Sequence, residues 1–230
     1  MKICGLVKTT LLDFPGKIGC TVFTEGCDLL CPFCQNSALV LDIGKNPIIP
    51  EEEIFSFLEK RKNYLKGICI TGGEPLLQPD IEDFIRKIRK IGYAIKLDTN
   101  GMFPEQLKHL IDEHLLDYIA MDIKTVPSRY WEATGMPENF DFSNVLKSVD
   151  IIKSSNIEHE FRTTAVKNFI SQADFIEIAK ILTTTEKYFI QTFQDKGSNI
   201  SSGLQGYSIE EERDIKTSLR PFVRMVDIRG

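Results

Sequence analysis

The chain reads as an α/β protein in which strands and helices alternate along most of its length, so that parallel βαβ units are the economical arrangement. Three observations predict this class. Short apolar, β-rich runs recur between stretches with helical spacing. The 230 residues fit one large domain, and no internal repeat or change of composition divides them. Chemically special residues gather directly after the strands, the place where (β/α) barrels carry their sites. Six such clusters follow six consecutive strands, which points to an open sheet with its chemistry at one end. Spacing alone leaves a partial barrel and a flat doubly wound sheet both open.

The elements follow in order. Residues 19–25 form a first strand feeding a cysteine-rich loop. Residues 50–64 are helical, with three Glu in the first turn where the helix dipole favours them. A short buried strand at 68–72 ends on Gly72 and Gly73. Residues 79–91 are a helix, because Ile81, Phe84, Ile85 and Ile88 recur on one face. A strand at 93–100, a helix at 104–114, a strand at 117–124, a helix at 144–155 and a strand at 157–165 continue the series. Ser171 is placed as the N-cap of a helix reaching about residue 183. A sixth strand covers 187–194. Residues 194–207 are rich in Gly, Ser and Asn and read as a loop, followed by a helix near 209–219 and an extended tail at 222–229. The chain 1–230 is thus expected as one domain, with a core at about 18–194 and a C-terminal tail at 195–230.

Bulk properties exclude several classes. A net charge of −5 and a pI near 5.4 argue against nucleic acid as a partner, since phosphate binding wants clustered Lys and Arg. No apolar run reaches the roughly 18 residues of a membrane span. The first residues lack an apolar stretch followed by a small-residue cleavage site, so no leader is expected. Cys4, Cys20 and Cys69 stand singly in apolar surroundings and read as buried free thiols. The expected compartment is reducing and cytoplasmic.

Cys27, Cys31 and Cys34 form a C-x3-C-x2-C cluster with no fourth cysteine nearby. Three thiolates on one loop can hold three irons of a 4Fe–4S cluster and leave the fourth iron open to a small molecule, whereas four-cysteine ligation makes an electron store. Two other readings compete on the cysteines alone: half of a structural zinc site, which wants a fourth Cys or His, and a C-x2-C redox pair. Gly72-Gly73-Glu74-Pro75 follows a strand and can be a simple turn. Two glycines also admit close backbone approach, and a carboxylate can hold an ammonium group. Asp98-Thr99-Asn100-Gly101 has turn composition, and Asp122-Ile123-Lys124 can be an ion-paired strand end.

Taken together, the cysteine loop with Phe33 before its last cysteine and the Gly-Gly-Glu-Pro segment resemble the radical S-adenosylmethionine (SAM) superfamily. The DTNG and MDIK segments at successive strand ends are similar to its glycyl-radical-enzyme activases, from about Ile3 to Gln194. The N-terminal run LVKTTLLDFPGKIG resembles the longer anaerobic ribonucleoside-triphosphate reductase activating proteins. The resemblance implies a partial (β/α)6 barrel. It implies Cys27, Cys31 and Cys34 as cluster ligands, with Glu74 in the motif that contacts the SAM amino group. Further cofactor contacts are implied at Phe33, Cys34 and Gln35, at Gly72 and Gly73, at Asp98, Thr99 and Asn100, and at Asp122, Ile123 and Lys124. Arg162 and Thr164 are placed near the SAM carboxylate and adenosine; Arg162 is also open to an ion pair. Gln194 replaces a His of some relatives. A monovalent cation on Asp98, Thr99, the Met121 carbonyl and Asp122 is also implied, and oxygen-only ligands suit a hard cation. The segment 130–136, centred on Thr134 and Gly135, resembles an activase segment without a derivable role. His109, His114 and His159 lie away from the motifs and are not expected to be catalytic.

The activity so implied is reductive cleavage of SAM to methionine and a 5′-deoxyadenosyl radical, which takes hydrogen from a glycine of a partner enzyme. Flavodoxin or ferredoxin is expected as the reductant. The partner is expected to be anaerobic ribonucleoside-triphosphate reductase; alternatives are a pyruvate formate-lyase type enzyme, or a small molecule or peptide as substrate.

Overall fold

In the computed structural model, which describes residues 1–183, 185, 187–195 and 197–230, eight strands form one sheet in the order of the sequence. The strands are β1 (Ile3–Thr10), β2 (Gly19–Thr24), β3 (Gly67–Gly72), β4 (Ala94–Thr99), β5 (Tyr118–Asp122), β6 (Glu158–Ala165), β7 (Lys187–Thr192) and β8 (Met225–Arg229). β1 runs antiparallel to β2, and every pair from β2 to β8 is parallel. The helices are α1 (Ser37–Leu41), α2 (Glu51–Arg61), α3 (Ile81–Ile91), α4 (Pro104–Asp112), α5 (Tyr130–Thr134), α6 (Ser143–Ser154), α7 (Gln172–Ile181) and α8 (Ile209–Leu219).

The six expected strands are present, and two more extend the sheet. The tail does not stand apart: β8 pairs with β7, so the core runs past residue 194, and β1 carries it back before residue 18. Neither is legible as a sheet strand: β1 is exposed over Val7–Thr9, and β8, whose segment reads only as an extended tail, is five residues long with one of them buried. Ser171 caps α7 through a reciprocal pair with Asp174, a capping box.

The two faces of the sheet differ because side chains alternate along a strand. Ile68 and Ile70, Ile95 and Leu97, Ile119 and Met121, and Tyr188 and Ile190 point outward into the apolar layer beneath the helices. The alternate positions Cys69, Asp98, Asp122, Arg162, Gln191 and Arg229 all border a single cavity. Every parallel strand from β2 to β8 contributes to that cavity. Seven strands at about 4.8 Å spacing span roughly 30 Å if flat, so the sheet must curl. Phe14, between β1 and β2, confirms the curl by reaching the ring of Tyr118 on β5, with centroids 6.1 Å apart. An open, curled sheet results, as the partial-barrel reading requires, with two strands beyond the six. No helix among the described residues is long and apolar enough to cross a membrane.

Candidate active site

The three clustered cysteines lie between β2 and α1, and all border the same cavity of about 540 Å³. Their loop is anchored from several sides. Leu30 N–H donates to the Thr134 carbonyl at 2.8 Å, and Gln78 donates to the Glu25 carbonyl at 2.7 Å. Leu29, Cys31 and Phe33 pack with Ala133, Val166 and Phe193 in a small apolar cluster of their own. This gives the segment 130–136 its role. Gly135 sits at φ +66°, and a Cβ there would meet the Leu30 carbonyl at 2.6 Å, so only glycine lets α5 end against the cysteine loop.

The glycine pair works similarly. A Cβ on Gly73 would stand 1.9 Å from the Gly26 carbonyl oxygen. Its absence lets Gly73 N–H donate to Thr24 O at 2.9 Å and Glu74 N–H donate to Gly26 O at 2.8 Å. The motif is thereby stapled to the start of the cysteine loop.

Glu74 itself departs from expectation. It is fully buried and does not border the cavity. Its Oε1 accepts from Leu76 N–H at 3.0 Å and from the Thr99 hydroxyl at 2.9 Å, and its Oε2 accepts from Asn100 N–H at 2.7 Å. Burial pushes this carboxyl up to about 8, against the pull of those donors. Its work is to join the Gly-Gly-Glu-Pro turn to the Asp-Thr-Asn-Gly turn, which places it behind the site rather than in it.

Asp98 and Asp122 do face the cavity, and Arg162 bridges them. Its Nε donates to Asp122 at 2.7 Å and its Nη1 to Asp98 at 3.0 Å. Lys96 pairs with Asp98, and Lys124 with Asp122 at 3.1 Å. Burial alone would raise both aspartates, but Arg162 and the neighbouring lysines outweigh it and hold both below the ordinary carboxylate range. Two expectations change accordingly. The oxygen set of Asp98, Thr99, Met121 and Asp122 is not left free for a monovalent cation, because guanidinium and ammonium groups already neutralise both carboxylates and the Thr99 hydroxyl serves Glu74. Arg162 is committed to two aspartates, so its guanidinium is not the unencumbered clamp a free carboxylate would want.

Of the residues that the resemblance places at the cofactor, Phe33, Gln35, Gly72, Gly73, Thr99, Asn100, Lys124, Thr164 and Gln194 border the cavity. Ile123 does not: it is fully buried, with its backbone spent on Arg162 and Thr163. Met121 is equally buried, its side chain filling the space beside Gly101. Gln35 donates to the Gln194 carbonyl at 3.1 Å, tying the cysteine loop to the end of β7. None of the three histidines borders the cavity. Cys20 and Cys69 are buried thiols as expected, whereas Cys4 is half-exposed. Cys69 nevertheless borders the cavity, deeper in the sheet and beside Lys96. Sequence reading missed Asp13, Thr21, Gln191 and Arg229 there. Only the strand alternation could have pointed to Thr21 and Gln191. Arg229 needed β8 to be recognised as a strand.

The cysteines fit an iron–sulfur cluster: three free thiols on one short loop border a single cavity, and a cluster takes each thiolate on a different iron. Cys27 Sγ already accepts Leu29 N–H at 3.4 Å, the kind of contact cluster thiolates take. Burial pushes the Cys31 thiol up to about 12, so ligation rather than ambient pH must remove its proton.

Curled sheet, cysteine loop at its mouth and polar interior together define a partial-barrel protein with one thiol-lined candidate site at its strand ends. The superfamily model for radical SAM proteins matches residues 21–182, and the chain belongs to the radical SAM superfamily. That family works with a 4Fe–4S cluster and SAM. A Methanocaldococcus jannaschii protein provisionally named a glycyl-radical enzyme activating enzyme is 33% identical over 197 residues, 84% of this chain and 80% of its own length. GTP 3′,8-cyclase of Campylobacter fetus subsp. fetus is 26% identical over 198 residues, 84% of this chain and 60% of its own. Streptococcus suis SuiB, solved with SAM bound, shares the fold with a TM-score of 0.70 at 15% identity. The match covers 90% of this chain and 48% of SuiB, so the chain spans about half of that structure.

Proposed function

We propose that the protein activates a glycyl-radical enzyme. The observation that carries this reading is the 33% identity, over most of both chains, to a relative named as such an activase. Cys27, Cys31 and Cys34 hold the cluster in this proposal, and SAM lies across the strand ends. When bound, the reduced cluster and SAM supply a 5′-deoxyadenosyl radical able to take hydrogen from a glycine Cα.

The residues of this chain then position and shield. The backbone at Gly72 and Gly73 lies next to the cysteine loop and suits the amino end of SAM. Phe33, Gln35, Thr164 and Gln194 border the side suited to the adenosine. Asp98, Thr99, Asn100, Asp122 and Arg162 form a fixed polar wall that keeps the site shaped without moving protons. Ser37 donates to the Ser198 carbonyl at 2.6 Å and Ser201 N–H to the Pro32 carbonyl at 2.9 Å. The segment after β7 therefore covers the outside of the cysteine loop and limits access of water.

Anaerobic ribonucleoside-triphosphate reductase is the partner proposed, on the likeness of the N-terminal run, and flavodoxin or ferredoxin the reductant. The test is anaerobic: reconstitute the cluster, add dithionite, SAM and the reductase, and follow electron paramagnetic resonance. A doublet from the partner's glycine supports the proposal in full. The cyclase relative favours a second reading, a small-molecule substrate. In that case 5′-deoxyadenosine forms with no glycyl radical on any glycyl-radical enzyme supplied.

A further inference from the structure

The first cysteine of the loop stands beside an acid and an amide whose arrangement is fixed from several directions. Asn100 is buried. Its side-chain oxygen accepts from Met102 N–H at 2.9 Å, within its own turn, so the amide nitrogen is left facing the cysteine loop. There Nδ2 donates to Asp28 Oδ1 at 2.8 Å and lies 3.8 Å from Cys27 Sγ. Turning the amide over would set its NH2 against Met102 N–H and its oxygen against a carboxylate, so both partners select the same orientation. The backbone N–H of Asn100 is held by Glu74, which gives that buried acid a path to the cysteine loop.

Asp28 is half-buried, and its Oδ1 is 3.8 Å from Cys27 Sγ. Burial pushes its carboxyl up, while the Asn100 amide and, more weakly, the field of Lys124 pull it down and favour the charged form. A carboxylate so close to a ligand sulfur opposes the arrival of an electron, because like charges repel strongly in a poorly hydrated site. An N–H directed at the same sulfur does the reverse, and hydrogen bonds to sulfur and local charge are both established levers on cluster potential. The two groups are also bonded to each other, so the amide holds the carboxylate in place while partly offsetting it.

We propose that Asp28 and Asn100 act as a pair that sets the reduction potential of the cluster on Cys27, Asp28 lowering it and Asn100 raising it. The inference rests on the proposed cluster ligands. Both are positioning residues, acting through the Cys27 sulfur rather than on SAM. A low potential makes the reduced cluster a stronger electron donor, so Asp28 is a charge placed where it favours electron delivery.

The test compares wild type, Asp28→Asn, Asn100→Asp and the double variant, each reconstituted anaerobically without SAM. Iron and sulfide content are measured first, then midpoint potentials by redox titration followed by electron paramagnetic resonance. The expected order is Asp28→Asn above wild type and Asn100→Asp below it, with the double variant between the single ones. Should Asn100→Asp fail to hold a cluster, Asp28→Asn decides alone, since it keeps the side chain's shape and an oxygen to accept from Asn100 while removing the charge. A full cluster with wild-type potential in Asp28→Asn overturns the inference and leaves the cluster ligands standing. A wild-type protein that takes up no cluster overturns the ligand proposal, and this inference with it.

Discussion

Cys31 is the most enclosed of the three clustered thiols, packed with Leu29, Phe33 and Ala133. Cys31→Ala should abolish cluster assembly and cost roughly 0.5–3 kcal/mol of stability, the usual range for a core truncation. Iron content and a urea titration check this; full iron stoichiometry would refute the ligand assignment. Glu74 supports a different experiment. Its folded value of about 8 lies above its ordinary 4.5, so between those pH values the folded chain binds more protons than the unfolded one. Stability therefore declines as pH rises from about 4.5 to about 8, by at most about 1.4 kcal/mol per pH unit. Glu74→Gln, which stays neutral, should lose that slope in denaturation of the cluster-free protein. A slope unchanged between pH 5 and 8 would show that Glu74 is already ionised.

Between elements, the closest approaches depend on missing side chains and on paired buried charges. Gly73→Ala places a Cβ against the Gly26 carbonyl and should push the Gly-Gly-Glu-Pro turn off the cysteine loop. The expected cost is about 1–3 kcal/mol, as for other overpacked sites, together with poor cluster retention on gel filtration. β8 is held by its ladder to β7 and by Arg229, whose guanidinium grips the buried Glu160 at 2.6 and 2.9 Å. Tyr118 also donates to Glu160, at 2.8 Å. Arg229→Ala strands that acid. Because Arg229 is partly exposed, the loss should be about 1–3 kcal/mol, below the full figure for a broken buried pair. Proteolysis of the C-terminal strand should speed up in parallel; a variant as stable and as resistant as wild type would remove this pair from the fastenings of β8.

Across the whole molecule, the outward faces of the strands form an apolar layer and the inward faces a charged one. Lys96, Asp98, Arg162, Asp122 and Lys124 form one ion-pair network inside the curl, with three cations to two carboxylates. Since Asp98 and Asp122 are held below their ordinary 3.8, their contribution is fully present above that pH. It is lost as the pH falls through their folded values. Melting temperatures of the cluster-free protein should therefore drop steeply below about pH 4. Arg162→Met should cost about 3–5 kcal/mol at pH 7 by leaving two buried aspartates short of their shared cation. A mild effect there would mean that Lys96 and Lys124 suffice.

Local pattern determined much of this protein. Alternating runs place six of the eight strands, and the glycine, cysteine and carboxylate motifs fall at the ends of those strands because each is a short, contiguous signal. Most of the motif residues do meet in one cavity. Tertiary structure alone decided which side of each motif faces inward. Glu74 and Ile123 lie one or two residues from cavity-lining neighbours, yet both are turned away. A one-residue step on a strand or turn reverses the direction of a side chain, and motif spelling does not record it. Thr134 and Gly135 needed the meeting of α5 with the cysteine loop, and Arg229 needed β8 beside β7. Asp28 and Asn100 are 72 residues apart. Their contact exists only because the sheet curls and closes the ends of β2 and β4 around one space.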